Sequence, residues 1–120
     1  MLIDNKIISV LTIKDYKKSL DLAKCLYDSG IVNLDIRLRT QQSKKAIELI
    51  KNSKFKFNIG IGTVLSLEDL YFVKSLGIKY AYSPNTDVKI LNNANKLDIQ
   101  FIPGISNIDN VISAVKCNCK

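Results

Sequence analysis

The sequence predicts an α/β fold in which strands and helices alternate along the whole chain, and three observations carry that expectation. Five short apolar runs of strand length recur, spaced by roughly two dozen residues. Behind each run, apolar residues return at the three-to-four spacing of an amphipathic helix. Glycine, proline and hydroxyl residues mark the joints between the two kinds of segment.

Taken in order, the first strand is expected over Ile7–Ile13, followed by a helix carrying Tyr16, Leu20, Ala23 and Leu26, with Gly30 as its stop. The second strand, Val32–Leu38, leads to a helix around Ala46, Leu49 and Ile50. The third, Phe55–Ile61, closes on Gly60-Ile61-Gly62-Thr63. Ser66, with Asp69 three residues on, has the pattern of a capped helix start, and that helix runs through Leu70, Val73 and Leu76 to Gly77. The fourth strand, Lys79–Ser83, ends at Pro84, and Thr86 or Asp87 can cap the helix of Val88, Leu91 and Ala94. The fifth, Ile99–Ile102, ends at Pro103-Gly104. Ser106 is the expected cap of a last helix with Ile108, Val111, Ile112 and Val115 on its apolar face.

Composition excludes several classes of function. The 120 residues are 47% apolar and 24% charged, ordinary for a globular chain and sized for one domain over residues 1–120. No apolar window is long enough for a membrane span, and the start MLIDNKIISVLTI lacks the marks of a signal peptide. There is no histidine, which removes Ser-His-Asp and Cys-His catalysis and histidine-ligated metals together. Cys25, Cys117 and Cys119 form no disulfide framework and suit a reducing cytoplasm. Cys117-x-Cys119 lacks further ligands for a metal, so no metal is expected. The net charge of +7 is spread over separate segments, and Arg37 and Arg39 are the only arginines. That reads as a solvated lysine-rich surface and not as a nucleic-acid interface.

Alternating strands and helices require parallel pairing with right-handed crossovers. Two architectures fit: a complete flavodoxin-like open sheet, or the first five units of a (β/α)8 barrel. The strand ends decide between them. The first strand leads into Lys14-Asp15 and the third ends without a carboxylate, so neither a phosphoacceptor aspartate nor a hydroxyl-rich phosphate loop is present. Polar residues stand instead at the C-terminal end of strand after strand: Asp35, Arg37 and Arg39, then Thr63, Ser83, Gly104 and Ser106. Convergence of that kind is what the mouth of a barrel requires.

Asp35 carries the most information. A carboxylate inside a buried strand needs a partner or a function. The alternation Asp35, Arg37, Arg39 places all three on one strand face, either as a structural ion pair or as an acid/base group beside a guanidinium that clamps a carboxylate. Gly60-x-Gly62-Thr63 and Pro103-Gly104 are turn and close-approach signals first.

Four segments in register resemble the 2-keto-3-deoxy-6-phosphogluconate / 2-keto-4-hydroxyglutarate aldolases: Leu34-Asp35-Ile36-Arg37-Leu38-Arg39-Thr40, Gly60-Ile61-Gly62-Thr63-Val64-Leu65, Ser83-Pro84-Asn85-Thr86 and Ile102-Pro103-Gly104-Ile105-Ser106. The resemblance implies a TIM barrel, commonly trimeric, that performs Schiff-base aldol chemistry on a small keto acid without a cofactor, releasing pyruvate and an aldehyde. It makes Asp35 the proton-relaying catalytic residue, one methylene shorter than the family's usual glutamate. It makes Arg39 the contact for the substrate carboxylate, sets Thr63 against the pyruvate moiety, and puts Pro84 and Gly104 in the pocket wall. Arg37 stands where the family often has a small polar residue.

The resemblance also implies an imine-forming lysine roughly three residues past Lys120, so the chain is expected to stop before strand six. Five units then leave strands one and five with open, apolar edges, from which an oligomer or an added segment is expected. The alternative from another class is a catalytically inactive half-barrel that binds or assembles.

Overall fold

In the computed structural model, residues 7–119 are described. Five strands alternate with five α-helices: β1 (Ser9–Leu11), α1 (Ser19–Asp28), β2 (Asn33–Arg37), α2 (Ser43–Lys51), β3 (Asn58–Gly62), α3 (Leu67–Ser75), β4 (Tyr80–Tyr82), α4 (Val88–Lys96), β5 (Gln100–Ile102) and α5 (Ile108–Lys116). A short 3₁₀ turn, Tyr16–Lys18, precedes α1. The strands stand in sequence order, β1-β2-β3-β4-β5, as in a β/α barrel and unlike the 2-1-3-4-5 order of a flavodoxin-like sheet. All five elements of each kind are therefore where the alternation places them. The strands are shorter than the apolar runs because several of those residues lie in the connections.

The chain divides into two compact units, Met1–Gly60 and Ile61–Lys120. In the first, β1 pairs parallel to β2 with Val10 opposite Asp35, and α2 packs on β2 and α1. Leu34, Ile36, Ala46, Ile47 and Ile50 are buried, from the inner positions of β2 and one face of α2. Buried Asn33 is satisfied: its amide donates to the Ile7 carbonyl at 3.1 Å and its oxygen accepts from Asn58 Nδ2 at 2.9 Å.

In the second unit, β4 pairs parallel to β5, with Ala81 opposite Phe101. Leu70, Val73, Ala81, Leu91 and Ala94 are among its buried apolar residues. The Ser66 hydroxyl accepts from the Asp69 amide at 3.1 Å and caps α3, as the sequence pattern requires. Asp87 and not Thr86 caps α4, accepting from the Lys89 and Ile90 amides.

One expectation needs correction in this unit. Asn107, not Ser106, caps α5, accepting from the Asn110 amide at 2.9 Å. Ser106 lies one residue earlier, where its hydroxyl and amide both engage Asn110 Oδ1. The periodic apolar face of α5 is open. Ile108, Val111, Ile112 and Val115 are all exposed, Ile108 by 69%, and Ala114 is the residue of α5 that is buried. Amphipathic spacing identified the helix correctly without identifying what covers it. The outermost strands β1 and β5 likewise show exposed Val10 and Ile102.

Candidate functional site

In the first unit the candidate residues gather at the end of β2. Asp35 lies in the middle of the strand, 5% exposed. Its Oδ2 accepts from Arg37 Nη2 at 3.1 Å. Residues two apart on a strand share a face, so the pair follows directly from the Asp-x-Arg spacing. The ion pair is thus present, and it is incompletely satisfied. Asp35 Oδ1 and Arg37 Nε are both buried without a hydrogen-bond partner among the described residues. Burial pushes the Asp35 carboxyl above its ordinary value, more strongly than the charge and hydrogen bond of Arg37 and the charge of Arg39 pull it down.

Arg39 is not part of the strand face that the alternation predicts. The strand stops at Arg37, and the Arg39 amide folds back onto the Arg37 carbonyl at 2.9 Å, a three-residue turn. The side chain of Arg39 is exposed, one turn beyond the half-buried pair and near enough for its charge to act on Asp35.

Two hydroxyls overlooked in the sequence fix this turn. Ser43 Oγ donates to the Arg37 carbonyl at 2.9 Å and accepts from the Thr40 amide at 3.2 Å. Thr40 Oγ1 donates to the Ile13 carbonyl at 2.6 Å, tying the end of β2 to the segment after β1. The signal was available as Thr-x-x-Ser directly before the second helix, a pattern in which hydroxyls bond the local backbone.

In the second unit the candidates are Thr63, Pro84 and Gly104. Thr63 follows β3 with φ +61°, left-handed backbone that a β-branched residue rarely adopts. Its Oγ1 is buried and unpartnered among the described residues. Such strain at a strand end is a mark of a functional position. Pro84 and Gly104 meet through their backbones: a Cβ on Gly104 would lie 2.1 Å from the Pro84 carbonyl oxygen. The Gly104 carbonyl accepts from Thr86 Oγ1 at 2.8 Å, and Ser83 Oγ donates to Asn85 Oδ1 at 2.6 Å. Glycine at 104 is thereby explained by close approach of the loops after β4 and β5.

Among the described residues no three or more His, Cys, Asp or Glu side chains cluster to hold a metal ion, and no helix is long and apolar enough to cross a membrane. Cys117 is buried and Cys119 partly so, with burial pushing the Cys119 thiol up. Lys120 lies outside the described residues.

Parallel strands alternating with helices, with polar groups set at the strand ends, define the chain as one half of a β/α barrel. The model of the KDPG and KHG aldolase family matches residues 1–120, and the chain belongs to that family. Among its relatives is the 2-dehydro-3-deoxy-phosphogluconate aldolase of Pseudoalteromonas atlantica, 36% identical over 91% of this chain and 51% of that protein. The KHG/KDPG aldolase of Escherichia coli is 30% identical over 88% of this chain and 50% of its own length. Among solved structures, a KDPG aldolase from Legionella pneumophila, with pyruvate captured as a covalent carbinolamine, superposes with a TM-score of 0.84 at 32% identity. That match covers 92% of this chain and 53% of the other. The chain spans about half the length of the relatives it matches.

Proposed function

We propose that the protein acts as a Schiff-base aldolase, cleaving 2-keto-3-deoxy-6-phosphogluconate, 2-keto-4-hydroxyglutarate or both to pyruvate and an aldehyde. The observation that carries this reading is the end of β2: a buried carboxylate with one oxygen tied and the other without a partner among the described residues, and an exposed arginine four residues on. Buried polar atoms are nearly always bonded, so a free carboxylate oxygen suits a group that handles a proton. In this reading Asp35 takes and returns protons, and Arg39 holds the carboxylate of the keto acid by a two-pronged hydrogen bond. By the same resemblance Thr63, whose hydroxyl has no partner among the described residues, is assigned to the pyruvate moiety, and the backbone at Pro84 and Gly104 to a pocket wall. The reaction asks for a lysine as nucleophile and for no cofactor. A cytoplasmic homo-oligomer, trimeric as the resemblance implies, would cover the apolar edge residues.

A second reading is favoured by one observation: every lysine among the described residues is exposed or half-buried, whereas an imine-forming lysine is activated by desolvation. In that reading the chain binds a keto acid through Arg39 and does not turn it over. Borohydride reduction in the presence of pyruvate, followed by peptide mass mapping, separates the two. The aldolase reading expects a reduced pyruvyl adduct on a single lysine. A folded protein that binds pyruvate and gives no adduct would establish the second reading instead.

A further inference from the structure

We propose that Arg37 is a positioning residue for Asp35: it holds Oδ2, so that every proton Asp35 accepts or releases passes through Oδ1. This rests on the reading of Asp35 as the proton-handling group.

The two oxygens of a free carboxylate are equivalent, and a rotating carboxyl presents either one to a reactant. Here they are distinct. Oδ2 accepts from Arg37 Nη2 at 3.1 Å, while Oδ1 is buried and has no partner among the described residues. The Arg37 backbone is itself fixed. Its carbonyl is held by Ser43 Oγ and by the Arg39 amide, and its side chain is 29% exposed against 8% for that of Asp35. A proton that forms an O–H bond at Oδ1 leaves the Arg37 hydrogen bond intact, because a carboxylic acid's carbonyl oxygen still accepts. A proton placed on Oδ2 would compete with that bond. The lower-energy protonated form therefore carries its hydrogen on Oδ1, and the same proton leaves from there to the water or ligand hydroxyl that supplied it. The charged groups that act on Asp35 are Arg37 and Arg39, and Arg39 lies outside the pair in its turn.

The account separates Arg37 from a residue that merely braces the strand. Bracing predicts nothing about which oxygen is protonated. The test needs no substrate, so a chain that forms no imine still answers it, and failure of the aldolase reading in the borohydride experiment remains a separate result. In the isotope-labelled protein, the Asp35 carboxyl carbon and the Arg37 side-chain nitrogens are followed by NMR through a pH titration. Restricted rotation of the guanidinium is expected to persist on both sides of the Asp35 titration. Collapse of that restriction in step with protonation of Asp35 would overturn the proposal, because it would place the proton on Oδ2. The Arg37→Gln variant is expected to titrate Asp35 at higher pH than the parent, and Arg37→Lys to restore part of the difference. An unchanged Asp35 titration in folded Arg37→Gln would equally overturn it. If that variant does not fold, the guanidinium measurement on the unsubstituted protein decides alone.

Discussion

At the end of β2 the chain is held by side chains: Arg37 on Asp35, Ser43 on the Arg37 carbonyl, Thr40 on the Ile13 carbonyl. At the ends of β4 and β5 it is held mainly by backbone, with the Gly104 Cα seated against the Pro84–Asn85 peptide and the Ser83 amide on the Ile102 carbonyl. The first arrangement contains charge and responds to pH. The second is neutral and responds to shape alone. A half-buried ion pair can be titrated or replaced by degrees, while a backbone contact leaves no space for a single added carbon. Within one fold, strand ends can thus be built to carry chemistry or to carry form.

The largest effect should come from the neutral region. Gly104→Ala forces a Cβ to within 2.1 Å of the Pro84 carbonyl oxygen. We expect a loss of about 3 kcal/mol in chemical denaturation, as severe overpacking costs. A loss below about 0.5 kcal/mol, the size of an ordinary surface change, would show that the close approach is not a constraint.

The charged region comes next. Arg37→Ala strips the partner from a buried carboxylate and should cost about 2 kcal/mol at pH 7, below the usual range for a fully buried pair because Arg37 is partly exposed. The loss should shrink in acid, where Asp35 is neutral. The parent protein should show the linked effect. Because the folded-state value of Asp35 is raised, the native state holds its proton more tightly than the unfolded chain. The stabilising contribution is full below the ordinary carboxylate range and is lost as pH rises through the raised value. Melting temperature followed against pH should show that fall, and Asp35→Asn should abolish it. A fall of equal size in the Asn variant would assign it to other groups.

A smaller change distinguishes strain from packing. Thr63→Gly removes a β-branched residue from left-handed backbone and should stabilise the fold by about 1 kcal/mol, the relief of strain exceeding the added chain entropy. Equilibrium unfolding measures it, and a clear destabilisation would mean that the threonine side chain holds the loop. At the last helix, Asn107→Ala should cost about 1 kcal/mol and Ser106→Ala less than half of that. Equal losses, read by thermal melts, would contradict the assignment of the cap to Asn107.

Much of this was legible in the sequence because it depends on local period. The five β-α units, the Ser66 cap and the Asp35–Arg37 pair all follow from spacing within a few residues. The parts that were not legible depend on what stands opposite. Ile108, Val111, Ile112 and Val115 have the spacing of a core face, yet exposure is settled by neighbours, and among the described residues none covers them. Arg39 continued the alternation on paper, but the chain leaves the strand after Arg37 because its carbonyl is taken by Ser43 and by the Arg39 amide. Gly104 could be read as a turn residue. That a peptide 20 residues earlier presses on it is a tertiary fact with no local signature.

The measurement that tests the central claim most directly is an NMR titration of the labelled chain with pyruvate, repeated with Arg39→Ala. The account predicts shifts at Arg39 and Asp35 in the parent and an affinity lower by about tenfold or more in the variant, the loss of a hydrogen bond to a charged group. Pyruvate that leaves these residues unmoved, or that binds the Arg39→Ala variant equally well, would contradict it.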